Sequence, residues 1–281
     1  MPPGDLSVTA LYTSQVWAWG GLPGAELYAT VDGKRVFDAT NAALGAARLL
    51  QRGGAPLRHA LLHRHAMIDH LLAASGQREV LELAAGLSRR GAAFTADPAM
   101  RYTEVDLPPV IARKRALLER SDAGRAVQAR PGLRLVDADV ETAALDAWVT
   151  PGAPVFVIAE GLMVYLDAAA QRRLWARVAA LGDVTFVFDL VPWCEQPRPG
   201  RVGAVLEAAM KRFTGGRSFE RDQRTRADLR AELLAAGFAA VDVHDSTEVA
   251  SAWALPHPAQ RTGQVVFACA SQAAVNRALS A

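Results

Sequence analysis

Val80-Leu81-Glu82-Leu83-Ala84-Ala85-Gly86-Leu87-Ser88-Arg89-Arg90-Gly91 is an apolar run that breaks into small residues and then into charge. The first part reads as a strand, Glu79 to Leu83, and the second as a small-residue turn in which backbone can approach a ligand closely. A dinucleotide fingerprint would place a glycine-rich turn here, opening a helix. Alanines stand where two glycines are needed, so the turn offers no clear pyrophosphate seat. Downstream, Tyr102-Thr103-Glu104-Val105-Asp106-Leu107-Pro108 is a second strand ending in an acid. Asp106 follows Glu82 by 24 residues, the length of one strand-helix-strand step. An acid at that place can accept hydrogen bonds from both hydroxyls of a ribose. It can equally cap a helix starting at Leu107.

The same alternation continues. Further strands are expected at Leu133 to Val136, Val155 to Ala159 and Val184 to Phe188, with Phe238 to Val243 and Gln264 to Ala270 closing the chain as an antiparallel pair. Val155 to Ala159 is unbroken Val, Phe and Ile, which predicts burial on both faces. Helices are expected after Pro108-Pro109, over Thr142 to Val149, from Asp167 to about Leu181, near Val202 to Phe213, and over Arg226 to Ala236, stopped by Gly237. Upstream of Glu79 the pattern is helical: Asp5 to Trp19, Ala42 to Leu50, and Pro56 to Ala74. The expected architecture is therefore α/β: a Rossmann-like, doubly wound, mainly parallel seven-stranded sheet. An antiparallel strand lies near its C-terminus. Residues 1–75 form a helical cap and 76–281 the core of one domain.

Composition narrows the function. The chain has 281 residues, is 51% hydrophobic and carries a formal charge of +2, so it can bury a large core and shows no basic face for nucleic acid. Its densest basic run, Arg217, Arg221, Arg224 and Arg226, reads as a solvated helix start. Cys194 and Cys269 are too few and too far apart for a disulfide framework or a metal site, and no metal is expected. The N-terminus has no secretory pattern. The longest apolar run, Pro154 to Leu166, is interrupted by Glu160 and is too short to span a bilayer. The expectation is a cytoplasmic protein with a small-molecule partner, neither nucleic acid nor membrane. Its oligomeric state is not legible.

Ligands of such sheets bind beyond the carboxyl ends of the strands, at the switch point. There the third strand leads to Asp139, which can take the exocyclic amine of an adenine or cap the helix expected near Glu141. The fourth leads to Ala159-Glu160-Gly161-Leu162-Met163-Val164-Tyr165. A carboxylate directly after a buried strand costs several kcal/mol if left unpaired, so Glu160 needs an arginine, a backbone donor or a cationic ligand.

These segments, with His63-Arg64-His65-Ala66-Met67-Ile68-Asp69-His70 before them and Lys114-Arg115 after Asp106, resemble the leucine carboxyl methyltransferase family. The resemblance is to its bacterial branch of tetracenomycin-type polyketide O-methyltransferases, over roughly Tyr12 to His244. It implies S-adenosylmethionine as cofactor and a carboxylate or hydroxyl as acceptor. By resemblance, Arg64 pairs with the methionine carboxylate, and Glu82, Ala84 and Gly86 pass close to the methionine part. Asp106 holds the ribose, Leu107 next to it also belongs to the cofactor site, Asp139 sits by the adenine, and Glu160 lies beside the methionine amine. The sequence departs from the family in having Ala84 for a frequent glycine and Ser88 for a frequent aspartate.

Glu160 and Tyr165 are the candidates for the catalytic centre, and Tyr12, Trp17, Trp19, Tyr165 and Trp193 for an aromatic wall around a small aromatic or polyketide-like acceptor. No histidine occupies a position that marks it as a base. Two alternatives remain open: a non-catalytic protein that binds the same cofactor, and an NAD-dependent oxidoreductase, which the poor glycine pattern and the lack of a Tyr-x-x-x-Lys disfavour.

Overall fold

The computed structural model describes residues 8–51, 55–196 and 223–280. The expected helix over Val202 to Phe213, and Arg217 and Arg221 of the basic run, lie outside the described residues. Seven strands form one sheet: β1 (Glu79–Leu83), β2 (Arg101–Asp106), β3 (Leu133–Asp137), β4 (Val155–Ala159), β5 (Val184–Asp189), β6 (Ala240–Asp245) and β7 (Val265–Ala270). Their spatial order is β3-β2-β1-β4-β5-β7-β6. Strands β1 to β5 run parallel, and β7 runs antiparallel to both β5 and β6. The order reverses between β1 and β4, so the crevice at a switch point opens beside Leu83 and Ala159.

Every residue of β4 is buried, as its unbroken apolar run requires. One face of the sheet packs Trp175 of α7 (Ala168–Ala179) against Phe186, Phe188 and Phe267. The other packs Met67, Ile68 and Leu72 of α3 (Leu57–Ser75) against Val80, Tyr102 and Phe156. Local signals fix the helix ends. Asp167 Oδ1 accepts the Ala170 N–H at 2.7 Å to start α7, and Thr225 and Asp228 form a capping box for α8 (Arg226–Ala235). Pro108 opens α5 (Pro108–Leu118).

Ahead of the sheet, α1 (Val8–Trp19) and α2 (Val31–Gln51) pack together, with Tyr12 stacked on Phe37 at 5.6 Å between ring centroids. α2 begins eleven residues before the expected Ala42. Its contacts with α1 outweigh the weak helical preference of Gly33. The helix expected over Thr142 to Val149 is only a 3₁₀ turn at Leu145–Trp148. Ala144 is extended, and Pro151 directly after Thr150 disfavours a helical conformation there. Two short helices without an apolar period, α4 (Arg90–Phe94) and α6 (Asp122–Gln128), were not legible. Among the described residues no helix is long and apolar enough to cross a membrane.

Candidate active site

A cavity of about 370 Å³ lies beyond the carboxyl ends of β1, β2 and β4, roofed by α1. Arg64, Glu82, Ala84, Gly86, Asp106, Leu107, Asp139 and Glu160 all line it, as do Trp17 and Tyr165. Residues brought together from six separate segments thus share one wall, which is what the strand-end reading requires.

The turn after β1 is held open by backbone geometry. Ala84 has φ 52° and Gly86 φ 54°. A Cβ at Gly86 would meet nothing within 4 Å, so its backbone faces open space. The Gly86 N–H donates to Asp106 Oδ2 at 2.6 Å, and the Leu107 N–H donates to Oδ1 at 2.7 Å. Asp106 does not cap α5 itself: Leu107 occupies the cap position, with no side-chain bond. Each Asp106 oxygen therefore accepts one backbone bond and keeps a lone pair for a ligand. Burial raises the Asp106 pKa, and the two backbone N–H groups and Lys114 oppose that rise. Asp139, at the exposed rim, accepts the Glu141 N–H at 2.9 Å.

Below the cavity lies a buried charge network. Glu160 Oε1 accepts from Arg64 Nε at 2.9 Å. Its Oε2 lies 2.8 Å from His65 Nδ1 and 2.7 Å from Arg90 Nη1. Arg64 Nη1 also reaches Asp189 Oδ2 at 3.1 Å, while Asp189 Oδ1 accepts the Gly161 N–H at 2.5 Å. Arg90, with its side chain fully buried, further binds Asp69 at 2.6 Å, Glu82 Oε1 at 2.8 Å and the His65 carbonyl at 3.1 Å. The Tyr102 hydroxyl donates to the remaining Glu82 oxygen at 2.8 Å. Burial pushes the Glu160 pKa up, but Arg90, His65 and Arg64 together hold it well below the usual carboxylate range. Burial, reinforced by Arg90, lowers His65 to about 3, so His65 is neutral at pH 7 and donates from Nδ1. Glu160 is a permanent anion with both oxygens engaged, and it cannot serve as a proton acceptor near neutrality.

Three of the residues expected around the acceptor are not among those that line the cavity. Tyr12 does not line the cavity: it is 5% exposed, bonds Asn41 at 3.2 Å and packs with Val16, Phe37 and Leu62 between α1 and α2. Trp19 also points away, 38% exposed, against Phe37, His59 and His257. Trp193, in a 3₁₀ turn after β5, is not among the lining residues. The cavity face of α1 carries Thr9, Ala10, Thr13 and Trp17 instead. Conversely, Arg90, His65, Asp69 and Asp189 form the network without having been assigned a role from sequence. The one available signal was a doublet of arginines directly after the β1 turn, where buried carboxylates converge.

In the basic run, Arg226 pairs with Glu195 at 2.6 Å and with Asp245 at 2.7 Å, and Arg224 pairs with Glu232, so both are consumed in intramolecular contacts. Among the described residues no three His, Cys, Asp or Glu side chains are grouped to hold a metal ion.

The fold and site can be set beside known proteins. A provisionally assigned methyltransferase from Thermobifida fusca YX superposes with a TM-score of 0.57 at 14% identity, covering 96% of both chains. A provisionally assigned O-methyltransferase from Nostoc punctiforme PCC 73102 gives 0.51 at 14% identity, covering 94% of this chain and 72% of that one. These likenesses establish the Rossmann-like methyltransferase fold. In sequence, a provisionally named S-adenosyl-L-methionine-dependent methyltransferase of Parafrankia sp. (strain EAN1pec) is 35% identical over 115 residues, 40% of this chain and 37% of that protein. One of Mycobacterium tuberculosis (strain ATCC 25618 / H37Rv) is 38% identical over 110 residues, 39% of this chain and 36% of that one. The chain thus matches little more than a third of the length of these curated relatives. The pattern of the leucine carboxyl methyltransferase family, however, matches residues 25–179, more than half of the chain, and includes the turn after β1, Asp106 and Glu160. The chain belongs to the leucine carboxyl methyltransferase family.

Proposed function

We propose that the protein is an S-adenosylmethionine-dependent O-methyltransferase acting on the carboxylate of a small, flat, largely apolar acceptor. The observation that carries the reading is the shared wall of one cavity: open backbone at Gly86, a ligand-ready carboxylate at Asp106, and the Glu160–Arg64 pair behind them. This donor set fits the cofactor. Asp106 would hold the ribose hydroxyls, Leu107 and Asp139 would flank the adenine, and the backbone around Ala84 and Gly86 would pass the methionine part. Glu160 would face the methionine amine and Arg64 the methionine carboxylate, while Glu82 acts at one remove by holding Arg90. When bound, S-adenosylmethionine supplies a methyl group on a sulfonium sulfur, already activated for displacement.

The protein's remaining task is orientation and exclusion of water, which together are worth roughly 7–11 kcal/mol in favourable cases. Trp17 and Thr13 on α1 and Tyr165 beyond β4 form the part of the wall left for the acceptor, with flat aromatic surface and few polar groups. All six histidines have other partners. His59 and His257 pack with Trp19, and His63 sits between Thr262 and the Pro256 carbonyl. His65 serves Glu160, His70 stacks on Trp253 and His244 packs tilted against the same ring. An acceptor already ionised at pH 7 suits such a site, because a carboxylate needs no base while a phenol of pKa about 10 does.

The test is methyl transfer from labelled S-adenosylmethionine to an aromatic carboxylic acid, its matched phenol and a peptide with a free C-terminal carboxylate. The expected result is methylation of the aromatic acid, at a rate flat with pH above the acid's own pKa. Methylation of the phenol alone, rising toward alkaline pH, or of the peptide alone, would overturn the reading.

A further inference from the structure

Behind the cavity wall, Lys114 of α5 and Glu104 of β2 form an ion pair in which both side chains are 0% exposed. Such a pair is not explained by stability. Well-packed apolar residues in the same volume are often as stable or more so, because both charges must first be stripped of water. Its connections suggest why charge is kept. Glu104 Oε1 accepts the Gly91 N–H at 3.1 Å, tying β2 to the first turn of α4, directly after the β1 turn. A Cβ at Gly91 would collide with Glu104 and lie 2.7 Å from Leu133, so this closeness requires glycine. The Lys114 ammonium lies 5.1 Å from the centroid of the Tyr28 ring, a buried residue of the segment joining α1 to α2. That segment is fastened at two more places: Arg89 Nη1 donates to the Pro23 carbonyl at 3.2 Å and Arg120 Nη2 to the Ala29 carbonyl at 3.1 Å. Glu104 and Asp106 are two apart on one strand and so project to the same face.

We propose that Lys114 is a positioning residue: paired with Glu104 and packed under Tyr28, it docks the N-terminal helices on the core and sets Asp106 and the turn after β1 in their cofactor-binding geometry. The proposal rests on the cofactor reading above. The electrostatics agree with it. Burial raises Glu104 to about 7, with Lys114 pulling it down and Glu82 pushing it up. Lys114 likewise favours ionised Asp106 against burial.

Three variants test it: Lys114→Met, Lys114→Met combined with Glu104→Gln, and Tyr28→Leu. S-adenosylhomocysteine affinity is measured by calorimetry well below each melting temperature, and amide exchange is followed over residues 8–30. In Lys114→Met the affinity should fall by about tenfold or more, ~1.4 kcal/mol. The double variant, with no buried charge left, should recover the melting temperature but not the affinity, which a purely structural pair would not do. Tyr28→Leu should speed exchange in α1. Recovery of both melting temperature and affinity in the double variant, or unchanged exchange in Tyr28→Leu, overturns the proposal. If Lys114→Met does not fold, the double variant decides. If wild-type protein binds no S-adenosylhomocysteine, the cofactor reading fails, while the exchange measurements on Tyr28→Leu and the double variant still test the docking role.

Discussion

Arg64 Nε lies 2.9 Å from Glu160 Oε1, with the opposite edge of its guanidinium 3.1 Å from Asp189. One side chain on α3 thereby ties the ends of β4 and β5 together at the floor of the cavity. The contact also constrains Gly161, whose φ is 68° and whose absent Cβ would sit 3.4 Å from the guanidinium. Removing Arg64 leaves Asp189 buried with only backbone donors, a change that costs about 3–5 kcal/mol when a buried pair is broken. Arg64→Ala is therefore expected to lower both stability and cofactor affinity. Arg64→Lys should retain part of the stability but still bind poorly, since one ammonium cannot span both carboxylates as the planar fork does. Denaturant unfolding and calorimetry on both variants check this. Wild-type affinity in both would remove Arg64 from the cofactor site.

Asp106→Ala should weaken cofactor binding by about 1.5–3 kcal/mol, the cost of a lost charge-assisted hydrogen bond. The Gly86 and Leu107 N–H groups it serves border the cavity, where water can replace the carboxylate, so only a small drop in melting temperature is expected. A large drop in melting temperature with unchanged affinity would make Asp106 a purely structural acceptor.

Ala84 carries a conformation that suits glycine, with φ 52°. Left-handed backbone costs an L-residue roughly 1–2 kcal/mol, while glycine adds about 0.4–1 kcal/mol of unfolded-state entropy. Ala84→Gly should thus be neutral or stabilising by up to about 1.6 kcal/mol, with cofactor affinity retained. Urea unfolding measures the difference, and a loss above that size would mean that the alanine methyl packs against something essential.

How far these features were legible from sequence depends on their range. The strands and the acids that end them could be read because continuous apolar runs and small-residue turns are local, and Glu82, Gly86, Asp106, Asp139 and Glu160 all reach the cavity wall. The aromatic wall could not be read from composition. Tyr12 and Trp19 are seven apart and share the face of α1 that packs on Phe37. Thr9, Thr13 and Trp17, spaced by four, take the cavity face. Only the direction in which α1 docks decides between the two faces. The network around Arg90 joins α3, β1, α4 and β4, and no sequence spacing encodes such a junction.

His65 gives a pH signature. Its folded pKa of about 3 lies below the unfolded value of 6.5, so between these pH values the unfolded chain binds more protons. Its contribution to stability is full above about pH 6.5 and is lost progressively as pH falls toward 3, at up to ~1.4 kcal/mol per pH unit. Glu104, raised to about 7 by burial, acts in the opposite sense between about pH 4.5 and 7. The comparison is therefore between wild type and His65→Asn, which keeps a donor for Glu160 without a titrating ring. The difference in unfolding free energy should shift in favour of the variant as pH falls from 6.5 to 4.5. A difference independent of pH would mean that His65 is not held neutral.

The proposed function requires a single molecule in the cavity above Asp106 and Glu160. Isothermal titration of the wild-type protein with S-adenosylhomocysteine and, separately, with NAD measures this directly. Saturable binding of S-adenosylhomocysteine at one site per chain, weakened in Asp106→Ala, is expected, with no comparable binding of NAD. Saturable binding of NAD with none of S-adenosylhomocysteine would contradict the proposed function.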